Sequence, residues 1–152
     1  INRFEGWWGN DKDTRFEMND NFLPIPTAES WQISNPPILS MAALKASLDI
    51  FYNIGFSKIL KVSNVLKSHL WNTLSSISGI EIITPSNINE RGSQVSFRVS
   101  NDSEAIVMML KDRNIICDFR KPDIVRIAPV PLYNTIDDID IFADILADII
   151  NK

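Results

Sequence analysis

The apolar residues of this chain alternate between two spacings along its length, and those changes limit the fold more than any single motif does. From Pro37 to about Asn53, Ile38, Met41, Ala42, Leu44, Leu48 and Phe51 recur at the spacing of one helix face, with Pro37 suited to a first helical turn. Gly55 ends that helix, and Phe56 or Ser57 begins another. In the second helix Ile59, Val62, Leu66, Leu70 and Leu74 form an apolar stripe opposed by Lys58, Lys61, Asn64 and Lys67. Beyond Gly79 the period shortens. IEIIT (80–84), SQVSFRVS (93–100), NIICDF (114–119) and DIVRIAP (123–129) are rich in Val, Ile and Phe and read as strands. DSEAIVMMLKDR (102–113) is a helix between the second and third. TIDDIDIFADILADII (135–150) closes the chain as another, with Thr135 and Asp138 at capping-box spacing. The order predicts an α/β layer, a short sheet covered by helices.

Residues 1–36 behave differently. They carry turn chemistry without a period: Gly6, Gly9, NDKD, MNDN, LPIPT and SNPP. Their aromatic residues, Phe4, Trp7, Trp8, Phe16, Phe22 and Trp31, need partners, so the segment reads as the wall of something larger. With 152 residues, 45% hydrophobic and 22% charged, the chain is of globular type and long enough for one real core. It opens on Ile1 instead of methionine and is read as a segment of a longer protein. A net charge of −4 argues against nucleic acid or an anionic membrane as the main partner. No apolar run reaches about 18 residues, and no signal peptide is present. Cys117 is the only cysteine, which rules out an internal disulfide or a thiolate metal cluster and fits a reducing, cytoplasmic setting. His69 is the only histidine, so no histidine-based metal site or triad can form within the chain. His69 is expected at the surface, and Cys117 buried and inert.

Three stretches could carry chemistry. In FEGWWGNDKDTRFEM (4–18) two indoles lie between glycines. An indole can cover a flat ring or donate its N–H to a phosphate, and in extended backbone Trp7 and Trp8 would point opposite ways. Core filling is the commoner use and the one the pattern alone favours. In ISNPPI (33–38) the two prolines stiffen the backbone around Asn35 ahead of a helix N-terminus. That holds an amide in a fixed place, although Ser34 or Asn35 could equally be a simple cap. In DIVRIAPVPLYN (123–134) Arg126 shares one strand face with Ile124 and Ala128, while Val125 and Ile127 take the other. A guanidinium among apolar neighbours needs an anion, which it can grip with two parallel hydrogen bonds, or an exit to water from an edge strand. The pattern leaves both open.

Taken together, GWWGNDKDTRFEM, SNPPILSMAALKASLDIF, IITPSNINERGSQVSF and IICDFRKPDIVRIAPVPLYN, in this order and register, resemble the C-terminal part of the kynureninase family. These are pyridoxal-phosphate enzymes that hydrolyse kynurenines. The resemblance runs through nearly the whole chain. It implies the small domain of the fold-type-I, aspartate-aminotransferase-like architecture over 37–152, with 1–36 finishing the cofactor face of the large domain. It implies pyridoxal 5'-phosphate as cofactor and a homodimer of the full-length chain. The implied reaction turns L-kynurenine or 3-hydroxykynurenine into anthranilate or its hydroxy form and alanine, in tryptophan catabolism and NAD biosynthesis.

Residue by residue, the resemblance gives Trp7 an indole N–H on the cofactor phosphate and Trp8 a place near the substrate's aryl ring. Asn35 falls at the shared cofactor and substrate pocket, and Arg126 on the substrate α-carboxylate. Asn10 stands where many members have histidine, and Thr27 and Ser30 stand where glycine is common, so the turn before Trp31 is expected to differ. Neither Tyr52 nor Tyr133 precedes a lysine, so the family's Schiff-base lysine is not matched here. It is expected upstream, leaving this segment alone inactive, with no catalytic residue of its own. Two other readings remain: a related fold-type-I lyase or desulfurase, which should lack the tryptophan pair and SNPPI, and a non-catalytic pairing module.

Overall fold

The computed structural model describes residues 3–100 and 102–151. Eight regular elements follow in chain order: α1 Ile38–Ile54, α2 Phe56–Ser76, β1 Ile80–Ile82, β2 Val95–Val99, α3 Ser103–Asp112, β3 Asp118–Arg120, β4 Ile124–Ile127 and α4 Ile136–Ile150. Each boundary has a local cause. Gly55 takes φ +86°, a left-handed conformation that side chains disfavour, and there the chain passes from α1 to α2. Asp102 caps α3 by accepting from the backbone N–H groups of Glu104 and Ala105. At α4 the capping box forms in full: Thr135 accepts from the Asp138 N–H while the Asp138 side chain accepts from the Thr135 N–H.

The four strands pair antiparallel in the order β1-β2-β4-β3. Val95, Phe97 and Val99 of β2 and Val125 of β4 face the helices and are buried with Leu66, Leu70 and Leu74 of α2, Ile106 and Leu110 of α3, and Phe142 and Leu146 of α4. Alternation along β2 leaves Ser96 and Arg98 between those buried positions. The result is two layers, helices on one side of a short sheet, as the order of elements predicted.

Three local expectations change. The NIICDF run gives a strand only from Asp118, because Asn114 adopts φ 62° and the Ile115 N–H returns to the Leu110 carbonyl at 2.9 Å, wrapping the end of α3. On α2, Val62 is 44% exposed whereas Lys67, assigned to the polar side, is only 8% exposed. The loop after β1 explains the burial of Lys67. Lys67 Nζ donates to the carbonyls of Ile88 and Arg91, each at 3.3 Å, and the hydroxyls of Ser63 and Ser93 meet at 2.7 Å. The Arg91 guanidinium lies 4.0 Å from the Trp71 ring centroid. An ammonium can be buried when carbonyl oxygens replace its water. His69 is half-buried instead of at the surface, with Nε2 2.5 Å from Asp140 Oδ1 on α4.

By contact density the chain forms two compact units, Ile1–Ile50 and Phe51–Lys152. The sheet and its core belong wholly to the second. The first is built from 3₁₀ turns at Trp7–Gly9, Arg15–Glu17 and Ala28–Trp31. Helix α1 forms where its period predicted, yet none of its residues is buried. Among the described residues no helix is long and apolar enough to cross a membrane.

Candidate functional site

The two glycines around the tryptophans have a steric purpose. A Cβ on Gly6 would lie 2.4 Å from the Ile33 Cα, and one on Gly9 would lie 2.4 Å from the Ser30 carbonyl oxygen. Both neighbours are backbone, which cannot swing aside as a side chain does, so the 6–9 turn can lie against residues 30–33 only without side chains at those two positions. The turn is 3₁₀, not extended, and Trp7 and Trp8 therefore do not alternate across a strand. Gly9 also accepts from the Ile25 N–H at 3.0 Å.

Trp8 is held from two directions. Its Nε1–H donates to Asn35 Oδ1 at 2.7 Å, and the Arg15 guanidinium lies 5.5 Å from its ring centroid. Arg15 is itself buried and donates through Nη2 to the Asn10 carbonyl at 3.2 Å. Because an indole N–H only donates, it must meet the Asn35 oxygen, which turns the two amide N–H donors of Asn35 elsewhere. Trp7 packs edge-on against Phe16, with centroids 5.2 Å apart, and remains 41% exposed. Among the described residues its indole N–H meets no acceptor. A cavity of about 600 Å³ is lined by Trp8, Lys12, Arg15, Phe16, Glu29, Gln32 and Pro36.

The departures at Asn10 and Ser30 also find a structural account. Asn10 Oδ1 accepts from the backbone N–H groups of Asp11 and Leu23, both at 3.0 Å, so it ties the two limbs of this segment together. Ser30 is buried and accepts from Arg3. Thr27 precedes the 3₁₀ turn that carries Trp31.

Arg126 belongs to the second unit. Its strand, β4, lies between β2 and β3, so the edge-strand alternative does not apply. In register it faces Ser96 on one side and Asp118 on the other. Arg126 Nη2 donates to Asp118 Oδ2, and the same oxygen lies 3.0 Å from Arg120 Nη2. The hydrogen bond from Arg126, assisted by the charges of both arginines against some desolvation, holds the Asp118 carboxyl below the usual carboxylate range. Farther along the sheet, Arg98 is paired with Asp123 at 2.9 Å and Glu81 at 3.5 Å. A cavity of about 280 Å³ is lined by Gln94, Ile116, Cys117, Asp118, Arg126, Ile127 and Ala128. Cys117 lies just before β3 and is half-buried instead of buried; that burial, with a smaller contribution from Asp118, pushes its thiol up to about 11, which fits an inert cysteine.

Of the four residues singled out from sequence, the structure thus brings Trp8 and Asn35 into contact, sets Trp7 beside Trp8 on one turn, and carries Arg126 in the separate second unit. Sequence reasoning missed Arg15 and Asp118. Arg15 is seven residues beyond Trp8, with no periodic pattern to link them. Asp118 could have been found, since a carboxylate in the strand preceding an arginine strand is the natural cross-strand partner.

The sequence profile of the kynureninase C-terminal domain matches residues 57–146. A kynureninase of Myxococcus xanthus is 46% identical over 139 residues, covering 90% of this chain and 33% of that protein. One from Christiangramia forsetii is 41% identical over 151 residues, covering 96% of this chain and 36% of that protein. The chain therefore spans about a third of the length of the curated relatives it matches. Among solved structures, the apo cysteine desulfurase of Thermococcus onnurineus superposes with a TM-score of 0.76 at 17% identity, over 98% of this chain and 39% of that one. The cystine C-S lyase C-DES gives 0.71 at 19% identity, over 97% and 39%. Likeness at this identity speaks for the fold alone, the α/β architecture of fold-type-I pyridoxal-phosphate enzymes.

Proposed function

The chain belongs to the kynureninase family, whose C-terminal domain it carries at residues 57–146, and from that premise we propose that the longer protein hydrolyses the Cβ–Cγ bond of L-kynurenine or 3-hydroxykynurenine. The products would be alanine and the corresponding anthranilate. Pyridoxal phosphate, when bound, would supply the electron sink for cleavage. The residues of this chain suit such a group: Trp7 is 41% exposed and, among the described residues, its N–H donor meets no acceptor, the kind of donor a phosphate oxygen accepts from. Trp8, gripped by Asn35 and Arg15, would cover the aryl ring. Asn35, its oxygen engaged by Trp8, would offer its N–H donors to an oxygen of the aryl ketone or of the cofactor. Arg126 would bind the α-carboxylate through its remaining N–H groups.

We read residues 1–36 as the end of the cofactor-bearing domain and 37–152 as the small domain, with the Schiff-base lysine supplied upstream. The intact enzyme would be a cytoplasmic homodimer, a reading that the wholly exposed apolar side of α1 supports. A desulfurase reading is less well supported, because this chain carries the GWWG and SNPPI stretches and its 40–46% identical relatives are kynureninases.

The observation that carries the proposal is Arg126 on an interior strand, with donors to spare beyond its bond to Asp118. In the full-length enzyme, Arg126→Ala should raise KM for kynurenine by about a hundredfold, as expected for loss of a charge-assisted pair, while the absorbance of the bound cofactor stays the same. Unchanged kinetics would remove the carboxylate role.

A further inference from the structure

Asp118 and Arg126 face each other directly across the β3–β4 ladder, so short and rigid strand backbone fixes both Cα positions. Only one guanidinium nitrogen, Nη2, is used in the contact, and it meets a single carboxylate oxygen. That oxygen also receives Arg120, whose charge anchors Asp118 from the other side. Two guanidinium cations share one carboxylate, which leaves the trio with a net charge of +1. An arginine fully matched by its neighbour would be neutralised and structural. This one is held at one corner and remains cationic, with its other N–H groups available.

A guanidinium on a four-bond side chain is otherwise free to swing, and ordering it on binding costs free energy. From this geometry we infer that Asp118 is a positioning residue: it pins one corner of Arg126 so that the rest of the fork is preset for the carboxylate of an amino-acid substrate. Arg120 serves the same purpose one step removed, by binding the same Asp118 oxygen at 3.0 Å from its own strand. The inference rests on the proposed carboxylate role of Arg126 and adds to it the residue on which that role depends.

The test uses the full-length enzyme, with Asp118→Ala and the near-isosteric Asp118→Asn, whose amide oxygen can still accept from Arg126. Asp118→Ala should raise KM for kynurenine by about tenfold, with kcat within threefold and the cofactor absorbance unchanged. Asp118→Asn should fall between that variant and the parent, and it carries the test alone if the alanine variant does not fold. A substrate analogue lacking the α-carboxylate should inhibit parent and variants equally. In the Arg126→Ala background, replacing Asp118 should change KM no further, because Asp118 acts through Arg126. Additive effects in that double variant, equal weakening of the analogue, or a fall in KM would each overturn the positioning role. If Arg126→Ala itself leaves KM unchanged, the carboxylate reading fails first. If Arg126→Ala raises KM and Asp118→Ala does not, only the present inference fails.

Discussion

The two units of this chain are held together by different physics. The second has a continuous apolar core, with Phe97, Leu74, Leu110, Val125 and Leu146 almost without solvent exposure. Burial of each such side chain contributes roughly 1.5–3 kcal/mol. Among the described residues, the first unit buries one large apolar residue, Ile25, along with Arg15 and Ser30, and leaves Phe4, Phe16, Met18 and Trp31 exposed. What orders it is close backbone approach at Gly6 and Gly9 and hydrogen bonds around Asn10. A region shaped by backbone fit can present aromatic faces and free donors outward. A region shaped by core burial presents a rigid sheet on which one charged pair can be set. The candidate ligand contacts follow that division: indoles and an amide in the first unit, a guanidinium in the second.

The sharpest way to break the comparison is to hollow the core. Phe97→Ala should cost about 3–5 kcal/mol in urea unfolding followed through Trp71, the one tryptophan of the second unit. A loss below about 1 kcal/mol, the ordinary surface range, would show that this core is not what holds the sheet. Next is Gly9→Ala, which forces a methyl group onto the Ser30 carbonyl and should cost about 1–3 kcal/mol. In a Trp71→Phe background the emission of Trp7, Trp8 and Trp31 would report that loss, and an unchanged spectrum and midpoint would mean the glycine is not needed.

Thr135→Ala should be milder, about 1 kcal/mol, since it removes half of the capping box at α4. The same change in a helix end held only by packing would be close to neutral.

The smallest effect concerns Cys117, whose thiol is raised from 9.0 to about 11. The fold prefers the neutral thiol, so that preference is intact below the unfolded value and fades as pH rises through the folded one. Alkylation at about pH 8 should be slow in the folded chain and should accelerate only toward pH 11, whereas in urea the rise should centre near 9.0. Rapid alkylation of the folded chain would place the thiol in a different environment.

Much of the second unit was legible because its code is local. Gly55, Asp102 and Thr135 mark helix ends by conformations and hydrogen bonds confined to a few residues, and alternation along VSFRV assigns strand faces directly. Some of the errors came where a distant segment intervened. Lys67 looked solvated until the loop at 88–91 supplied two carbonyls, and His69 looked exposed until Asp140 of α4 met it. The four candidate ligand residues were chosen for chemical type and family likeness. Of their supports, Arg15 had no such marker, and Asp118 becomes readable only once β3 and β4 are taken as paired strands.

By itself the sequence determined the order of the elements, the capping box at Thr135 and the two-layer arrangement, because hydrogen bonding and apolar period act over three or four residues. Only the tertiary structure decided that Gly6 and Gly9 lie against residues 30–33, that Trp8 donates to Asn35, and that Arg126 is pinned by Asp118. Those contacts join positions 8 to 27 residues apart, beyond the three or four residues over which caps and apolar period act.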